Sequence, residues 1–301
     1  MSKERKSSPE LDLGKKVEAP CHYAPSVLRK VARDQEREGL VKAGVYPEFF
    51  GYDVWNAYEF NFLVTGGGPQ NYVLKIIYPA SSPYIVESKS LKLYLGSFSM
   101  DRFTSLKEAL DTVTKDLNEL LETHVQVRAM RVAEVNGFQR TFSIGDGVKV
   151  LDDLAADVPC TEFNHNAELL HEGKEEGVLN ETHQFVFYGL KSNCKVTHQP
   201  DYGVVFIKYT GSDRIDPKAL YKYLVSFRGE NHFHEEIVET IYTDLLMNLP
   251  NASSLVVFAQ YTRRGGIDIN PVRVLTLKDM TWTPCEELLL DSPGVVRSFM
   301  Q

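Results

Sequence analysis

The sequence predicts an α+β fold in which antiparallel sheets are backed by helices. Two observations predict this class. Strand-like runs stand on both sides of helical segments in each half of the 301-residue chain, and the two halves share a stretch of similar sequence. Strands are indicated by short runs rich in Val, Ile, Tyr and Phe between turn residues, and helices by apolar residues at intervals of three and four.

The first half is predicted to begin with a charged helix at residues 26–42, followed by strands at 52–64 and 71–80. The glycine-rich turn between these strands, Gly66–Pro69, lacks the Lys-Ser/Thr ending of a phosphate-binding loop, so we interpret it as a hairpin. Strands are expected again at 125–135 and 140–144. Between the two pairs of strands a helix is predicted from one apolar stripe, formed by Leu106, Ala109, Leu110, Val113, Leu117, Leu120 and Leu121.

The second half repeats this order, with strands at 203–211 and 253–262 on either side of a helical stretch at 217–249. Residues 87–98 align without gaps with residues 216–227 and are identical at six of twelve positions. Chance similarity between two amphipathic helices is the alternative to an internal duplication. We predict the duplication. Its modules are an N-terminal one at 1–150 and a C-terminal one at 151–301, the latter opening with a weakly patterned acidic connector at 151–181.

Composition and sheet edges predict the partners of the chain. Open antiparallel sheets leave edges that pair with other strands, so we expect the modules to join edge to edge and the chain to form a homodimer. The net charge of -8 and the pI near 5.6 argue against a nucleic-acid partner. No apolar run approaches the roughly 20 residues of a membrane span, and the N-terminus lacks the apolar core of a signal peptide. A cytoplasmic protein is therefore expected.

The densest group of reactive side chains is at residues 191–203. Cys194 has Lys191 and Lys195 beside it, and Asp201 follows a His-Gln-Pro turn. Nearby cations raise the fraction of thiolate, which is the nucleophilic form of cysteine. A carboxyl group close to a thiolate has its pKa raised and becomes a proton donor. A free cysteine ahead of an ordinary turn is the alternative.

Two histidines at 232 and 234 raise the question of a metal site, with Glu235 and Glu236 beside them. Residues two apart on a helix point to different faces, and the surrounding pattern is helical, so a shared ion is disfavoured. A buried Glu235 that accepts hydrogen bonds, with His234 as a proton shuttle, is the functional interpretation. A solvated end of a helix is the alternative.

A third cluster, at 261–271, has Arg263 and Arg264 followed by two glycines, which suits a phosphate-bearing ligand. An arginine-rich hairpin is the alternative, and G-x-G-x-x-G is absent from the sequence. Residues 87–90 open a predicted helix, where backbone N–H groups and Lys89 favour an anion.

Four motifs in chain order carry a resemblance to a known family: ESKSLKLYLGSF at 87–98, LKSNCKVTHQPDYG at 190–203, LVSFRGENHFHEE at 224–236 and YTRRGGIDINP at 261–271. The chain resembles the long, two-module form of the NADPH-dependent 7-cyano-7-deazaguanine reductases, the nitrile reductases of the queuosine pathway. The resemblance extends to residues 11–15 and 51–59 and covers nearly the whole chain.

The resemblance implies a tandem pair of tunnelling-fold modules, similar to GTP cyclohydrolase I. It also implies a four-electron reduction of a small 7-deazapurine nitrile to 7-aminomethyl-7-deazaguanine, with two NADPH consumed per turnover and no metal. Cys194 would form a covalent thioimide, Asp201 would protonate the imide nitrogen, and His234 would assist later proton transfer. The remaining roles are substrate binding by Val86, Glu87, Ser88, His234 and Glu235, and NADPH binding by Ser88, Lys89, Arg264 and Gly265.

Three other functions stay open at this stage. A zinc-dependent GTP cyclohydrolase on the same fold would need a converging Cys/His ligand set. A silent binding protein for deazapurines or tRNA would need no reactive pair, although the Cys194–Asp201 pair is intact. A related amidinotransferase acting on a tRNA-bound nitrile would use the same nucleophile without NADPH.

Overall fold

The computed structural model describes residues 19–40, 48–131, 140–141, 147–173, 175–281 and 296–297, and within these ranges one ten-stranded sheet runs through both halves of the chain. The helices are α1 (Arg33–Arg37), α2 (Ser88–Gly96), α3 (Leu106–Leu121), α4 (Pro217–Val225) and α5 (His234–Asn248). The strands are β1 (Lys30–Ala32), β2 (Phe50–Val64), β3 (Pro69–Pro79), β4 (Tyr84–Val86), β5 (Arg102–Phe103), β6 (Gln126–Arg131), β7 (Arg140–Thr141), β8 (Lys149–Val150), β9 (Glu175–Cys194), β10 (Pro200–Arg214), β11 (Asn231–His232), β12 (Ser254–Tyr261), β13 (Ile267–Val274) and β14 (Val296–Arg297).

The large sheet has the order β11-β9-β10-β12-β13-β2-β3-β6, with β5 beside β2 and β8 beside β9. Its long neighbouring strands are all antiparallel. Strand β13 of the second half pairs with β2 of the first half over eight residues. This pairing confirms both the predicted α+β class and the expectation that the two halves join edge to edge.

Helices cover one face of the sheet in each half, and each half has its own apolar core. Helix α3 spans the predicted stripe and buries Ala109, Val113, Leu117 and Leu121 against the first-half strands. A third apolar cluster lies on strands from both halves and includes Val54, Val272 and the stacked rings of Phe206 and Phe258. No helix within the described ranges is long and apolar enough to cross a bilayer.

Matching hydrogen bonds in the two halves support the predicted duplication. Tyr94 Oη donates to Asp116 Oδ2 at 2.6 Å, and Tyr223 Oη donates to Asp244 Oδ2 at 2.7 Å. These four residues occupy corresponding positions, because Tyr94 and Tyr223 align in the repeat and each aspartate lies on the following helix. A buried hydroxyl that pairs with a carboxylate is thus used twice in the same place.

The correspondence extends to the segments that precede each module's strands. Tyr23 Oη donates to Asp116 Oδ2 at 2.7 Å, and His165 Nε2 lies 2.6 Å from Asp244 Oδ2. The rings also match, since Tyr23 packs edge-on against Phe98 and His165 packs tilted against Phe227. The duplicated unit therefore includes an arm that folds over its own helix pair.

The predicted helix at 26–42 is confirmed only in part. Arg33–Arg37 form α1 and Glu38–Leu40 continue as a 3-10 helix, whereas residues 28–32 are not helical and residues 41–42 lie outside the described residues. Residues Lys30–Ala32 form β1 instead and pair with β4. Leu28 and Val31 are both buried, and their spacing of three imitates a helical stripe. Strand pairing with a distant segment overrides that local pattern.

The predicted connector at 151–181 is also too long, because β9 begins at Glu175 and pairs with β10 as far as Arg214. The strand predicted at 140–144 is described only at β7, which pairs with β14 outside the large sheet. The rest of that predicted strand, the last residues of the one at 125–135 and the N-terminal motif at 11–15 lie outside the described residues.

A buried group of charges, which we call the junction network, lies where the halves meet. Arg273 on β13 donates to Asp53 Oδ1 on β2 at 2.8 Å and to Glu239 Oε1 on α5 at 2.7 Å. Arg33 contacts Asp53 Oδ2, and Arg37 Nη2 lies 2.6 Å from Glu239 Oε1. Burial by itself raises the pKa of both carboxyls, but the arginines outweigh it and hold the pKa of Asp53 and Glu239 below their ordinary values.

The pairing of β2 with β13 at the junction requires a glycine at position 51. Gly51 has a φ of +121°, and a Cβ there would lie 2.1 Å from the carbonyl oxygen of Val272. Any side chain would push the two strands apart, so the glycine permits their close approach beside the junction network.

Asp53→Asn is expected to reduce the free energy of unfolding by about 3–5 kcal/mol, because it leaves Arg33 and Arg273 buried with too little negative charge. Urea titration of the two proteins measures the difference. The matched control is Asp111→Asn, which breaks only the exposed pair of Asp111 with Lys107 and should leave the midpoint unchanged. Equal midpoints for Asp53→Asn and the parent would contradict a structural role for the network.

Candidate active site

A cavity of about 250 Å³ lies between the two halves of the chain. Its walls come from the first-half strand β2, from β4 and from α2, and from the β9–β10 hairpin, α5 and β13 of the second half. Nine of the ten predicted site residues line it, which brings together positions up to 179 apart in sequence. The lining residues are Trp55, Ile85, Val86, Ser88, Lys89, Lys92, Cys194, Asp201, His232, Phe233, His234, Glu235, Thr262, Arg264, Gly265, Ile267 and Ile269.

Glu87 is the predicted residue that does not line the cavity. Its carboxylate caps α2 instead, accepting hydrogen bonds from the backbone N–H groups of Lys89 at 2.9 Å and Ser90 at 2.8 Å. The cap fixes the first turn of α2, which places Ser88 and Lys89 on the cavity wall. A direct contact of Glu87 with a ligand stays a prediction.

Cys194 and Asp201 belong to one tight hairpin. Strand β9 ends at Cys194, whose N–H donates to the carbonyl of Gln199 at 2.8 Å, and the chain returns as β10 with Asp201 paired to Ser192. The predicted turn is confirmed, and both reactive side chains line the cavity while being more than nine-tenths buried. Cys194 carries a free thiol. Cys160 also carries a free thiol, and Cys285 lies outside the described residues.

The charge state of Asp201 differs from the prediction. Arg264 Nη1 lies 2.6 Å from its Oδ1, and His234 Nε2 lies 3.3 Å from its Oδ2. Burial raises the pKa of this carboxyl, but His234 and Arg264 together outweigh burial and lower it. The predicted upward shift is wrong here, because the sequence could not show that His234 and Arg264, both distant in the chain, would pair with Asp201. In this geometry Asp201 is a carboxylate.

The two lysines next to Cys194 have partners other than the thiol. Lys195 contacts Glu36, and its Nζ lies 3.3 Å from Glu236 Oε2. Lys191 Nζ donates to Asn193 Oδ1 at 2.7 Å and to a backbone carbonyl at 2.5 Å. Sequence adjacency therefore did not predict the groups with which these lysines pair.

His234 and Glu235 occupy the first turn of α5. The imidazole of His234 stacks on the ring of Tyr261, with centroids 3.7 Å apart and planes 4° from parallel. Glu235 is buried, and its Oε1 has no hydrogen-bond partner among the described residues. Burial raises the pKa of Glu235 to about 8, and the nearby carboxylate of Asp53 acts in the same direction.

The two histidines do not lie on one helix, as the metal argument had assumed. His232 is on β11, where its Nε2 lies 2.9 Å from Glu230 Oε2 and its Nδ1 lies 2.7 Å from Glu236 Oε1, whereas His234 begins α5. Within the part of the chain that the structure describes, no group of three or more His, Cys, Asp or Glu side chains is placed to hold a metal ion.

Cationic side chains form one wall of the cavity and fit a phosphate-bearing cofactor. Lys89 and Lys92 come from α2, and Arg264 comes from the β12–β13 hairpin. Gly265 has a φ of +59°, and a Cβ there would meet Lys92 Cδ at 3.0 Å, so the glycine keeps this wall open. Arg263 does not line the cavity, since its guanidinium lies 5.1 Å from the ring centre of Tyr58.

Lys92 and Trp55 line the cavity but were not predicted from the sequence. Lys92 follows Lys89 by three positions, so helical spacing from a predicted residue was a usable signal. Trp55 lies in the 51–59 stretch that resembles the family. The alternating pattern of a strand shows which face a residue is on, but it could not show that this face borders a cavity between the halves.

A second cavity, of about 360 Å³, occupies the matching place in the first half. Val64 pairs with β5 as Cys194 pairs with β11. On the neighbouring strand, Gln70 pairs with Phe62, which is two residues before Val64. Asp201 pairs in the same way with Ser192, which is two residues before Cys194. The first half therefore has an apolar side chain and a neutral amide where the second half has a thiol and a carboxylate.

Comparison with known proteins gives two family matches. Residues 20–129 match the model described as "Nitrile reductase, 7-cyano-7-deazaguanine-reductase N-term", and residues 200–278 match the model described as "QueF-like protein".

Three curated relatives carry the name NADPH-dependent 7-cyano-7-deazaguanine reductase. The protein of Cupriavidus metallidurans is 43% identical over 263 residues, which is 87% of this chain and 91% of the relative. That of Delftia acidovorans is 40% identical over 264 residues, or 87% and 92% of the two chains. That of Acinetobacter baylyi is 38% identical over 276 residues, or 90% and 94%.

The raised pKa of Glu235 predicts a pH-dependent stability. As the pH rises through 4.5, the unfolded chain releases this proton, whereas the folded chain keeps it until about pH 8. The stability that this group contributes is therefore complete below pH 4.5 and is lost between about pH 4.5 and pH 8. Glu235→Gln has no proton to release, so its unfolding free energy should rise relative to the parent's across this window, by on the order of 1.4 kcal/mol per unit of pKa difference.

Urea unfolding of both proteins across that pH window measures the effect. Glu119→Gln, an exposed substitution on α3, is the control and should keep a constant difference from the parent. Parallel curves for Glu235→Gln and the parent would show that Glu235 ionises normally.

Proposed function

The chain belongs to the family of the NADPH-dependent 7-cyano-7-deazaguanine reductases, and we propose from this premise that it reduces the nitrile of 7-cyano-7-deazaguanine to the amine of 7-aminomethyl-7-deazaguanine. The observation that carries the proposal is the convergence of Cys194, Asp201, His234 and Glu235 on one buried cavity between the halves. A thiol, a carboxylate and an imidazole in one enclosed space supply a nucleophile and two groups that exchange protons.

In the first step the sulfur of Cys194 bonds to the nitrile carbon, and one π bond of the nitrile breaks. The product is a covalent thioimide, and its nitrogen must gain a proton. Asp201 is ionised, so it first accepts the thiol proton of Cys194 and then passes it to that nitrogen. The atoms balance without an added acid, because the proton leaves sulfur and ends on nitrogen.

Reduction of a nitrile to a primary amine takes four electrons, and NADPH supplies them as hydride, so two molecules are consumed per product. We assign its binding to Ser88, Lys89, Arg264 and Gly265. The cationic wall and the open backbone at Gly265 support this assignment. His234, placed against Asp201, provides the proton required after the thioimide has formed.

Substrate binding is assigned to Val86, Glu87, Ser88, His234 and Glu235. A deazaguanine ring presents several N–H donors on one edge, and a buried carboxylate accepts such donors well. The unpartnered Oε1 of Glu235 supports this role. Glu87 acts on the substrate through α2, whose first turn it caps, in addition to any direct contact.

We also propose the organisation of the working protein. The modules are residues 1–150 and 151–301, which the matching arms at Tyr23 and His165 support. The chain acts as a homodimer on its small-molecule substrate. Support comes from the end of the large sheet at β6, beyond which no described residue forms a further strand.

Cys194→Ala is expected to form no adduct and to have no turnover, because no other thiol reaches the cavity in the described structure. Intact-protein mass and nicotinamide absorbance, followed together with 7-cyano-7-deazaguanine, test this. The parent should gain the mass of one substrate molecule without NADPH and then oxidise two NADPH per nitrile. Asp201→Asn should keep part of the adduct but lose on the order of 10²–10⁴-fold in reduction rate.

Cys160→Ala is the matched control for loss of a thiol. Cys160 is half-buried, lies outside the cavity and contacts the carbonyl of Val158, so this variant should behave as the parent does. Turnover by Cys194→Ala would refute the covalent mechanism, and absence of both adduct and oxidation in the parent would refute the proposed function.

Arg264→Gln is expected to have two effects. Loss of a charge-assisted contact to a cofactor phosphate should raise the KM for NADPH by roughly 10–100-fold. Removal of the ion pair with Asp201 raises the pKa of that carboxyl, so the acid limb of adduct formation without NADPH should move to higher pH. Arg263→Gln changes the neighbouring arginine outside the cavity and should do neither. An unmoved acid limb in Arg264→Gln would contradict the role of Asp201 as the acceptor of the thiol proton.

A further inference from the structure

Four polar atoms of residues that line the active-site cavity are buried without a hydrogen-bond partner among the described residues, and one of them, His232 Nδ1, lies 2.7 Å from the carboxylate of Glu236. The other three have no such neighbour to account for them. They are Trp55 Nε1, His234 Nδ1 and Glu235 Oε1. A buried polar atom left unpaired costs about 1–3 kcal/mol, and folded proteins pair nearly all of them. A ligand in the cavity is one molecule that would pair with all three, because the residues that carry them line the same space.

Trp55 differs from the other two because it can only donate. Indole has a single N–H and no acceptor atom, so the partner of Trp55 must be an acceptor. The carboxyl of Glu235 at the same cavity keeps an acceptor oxygen while it is protonated, and a ligand N–H beside it favours its ionised form. The cavity therefore selects a ligand that carries an acceptor and a donor.

The position of the Trp55 side chain is fixed by the fold. Trp55 is 1% exposed on β2, where its backbone pairs with Ile269 of β13 on one side and Ile76 of β3 on the other. Its ring packs at a tilt against Tyr78, with centroids 6.4 Å apart. Because the ring is buried and packed against Tyr78, it has little room to change rotamer and find another partner.

Bulk alone does not account for an indole at this place. Ile85, Phe233, Ile267 and Ile269 already give the cavity apolar walls. A phenyl ring at this position of β2 would supply the same apolar surface and would bury no N–H group. The indole does bury one, and the unpaired N–H destabilises the folded protein until a ligand binds.

We propose that Trp55 is a specificity-determining residue of the active site, whose indole N–H donates a hydrogen bond to the ring carbonyl oxygen of the substrate. The inference rests on the proposed function, and it adds a contact to that function. In a deazaguanine the carbonyl oxygen stands next to a ring N–H. One edge of the base therefore meets the donor of Trp55 and the acceptor of Glu235 together.

The test measures binding by calorimetry in the Cys194→Ala background, where no adduct forms. The ligands are 7-cyano-7-deazaguanine and the analogue that has hydrogen in place of the ring carbonyl oxygen. Trp55→Phe should weaken binding of the first by roughly 5–100-fold, as expected for the loss of one buried hydrogen bond. The analogue lacks this oxygen, and its neighbouring ring nitrogen also loses its hydrogen, so it binds Glu235 differently in both proteins. Trp55→Phe should change its binding by less than about twofold, because the oxygen that Trp55 would bind is absent.

Steady-state kinetics of the single variant Trp55→Phe add a second readout. The KM for the nitrile should rise while kcat stays near that of the parent, because the contact exists before and after reduction. Tyr78→Phe is the matched control. It keeps the ring that packs against Trp55, lies outside the cavity lining and should leave both affinities unchanged.

The outcomes separate this inference from the proposed function. If the Cys194→Ala protein with Trp55 intact does not bind 7-cyano-7-deazaguanine, the proposed function fails. If it binds, but Trp55→Phe weakens the two ligands equally or neither of them, the role of Trp55 is overturned and the proposed function stands.

Discussion

The arrangement of this protein depends on one buried set of charges. Asp53 on β2 and Arg273 on β13 face each other across the strand pair that joins the halves, and Glu239 adds a carboxylate from α5. Charges this deeply buried are tolerated only when they are closely paired, so the strands and the helix are held in one relative position. Glu239 follows Glu235 by one turn of α5, so the same contacts orient the turn that carries His234 and Glu235. The active site is thus positioned by the charges behind it.

The duplication also explains why one cavity is reactive and its counterpart is not. At corresponding positions the second half has Cys194 and Asp201, whereas the first half has Val64 and Gln70. Helix α3 likewise begins with Leu106 where α5 begins with His234. The first half instead contributes α2 and β2 to the wall of the reactive cavity. The two copies have therefore specialised, one in nucleophilic chemistry and the other in holding ligands.

The sequence predicted the features that depend on local pattern. The apolar stripe predicted α3, and the repeated segment predicted the duplication. The His-Gln-Pro turn predicted that the chain folds back so that Asp201 lies on the strand next to that of Cys194. It failed where partners are distant in the chain. The pKa of Asp201 depends on His234 and Arg264, and the strand at residues 30–32 depends on pairing with β4. The substrate contact assigned to Glu87 from the family resemblance stays a prediction, and its role as the cap of α2 was not predicted.

The order of synthesis gives the junction network a further consequence. Ribosomes release the N-terminal half first, and domains tend to fold as units as they emerge. Arg33 and Asp53 are therefore available to each other while the second half is still being made, and Glu239 emerges before Arg273. Arg273 is the last of these charges to appear, and it lies on β13, the strand that closes the sheet between the halves. Docking of β13 is therefore a late event of biogenesis, and it completes the charge pairing and closes the cavity wall in the same step.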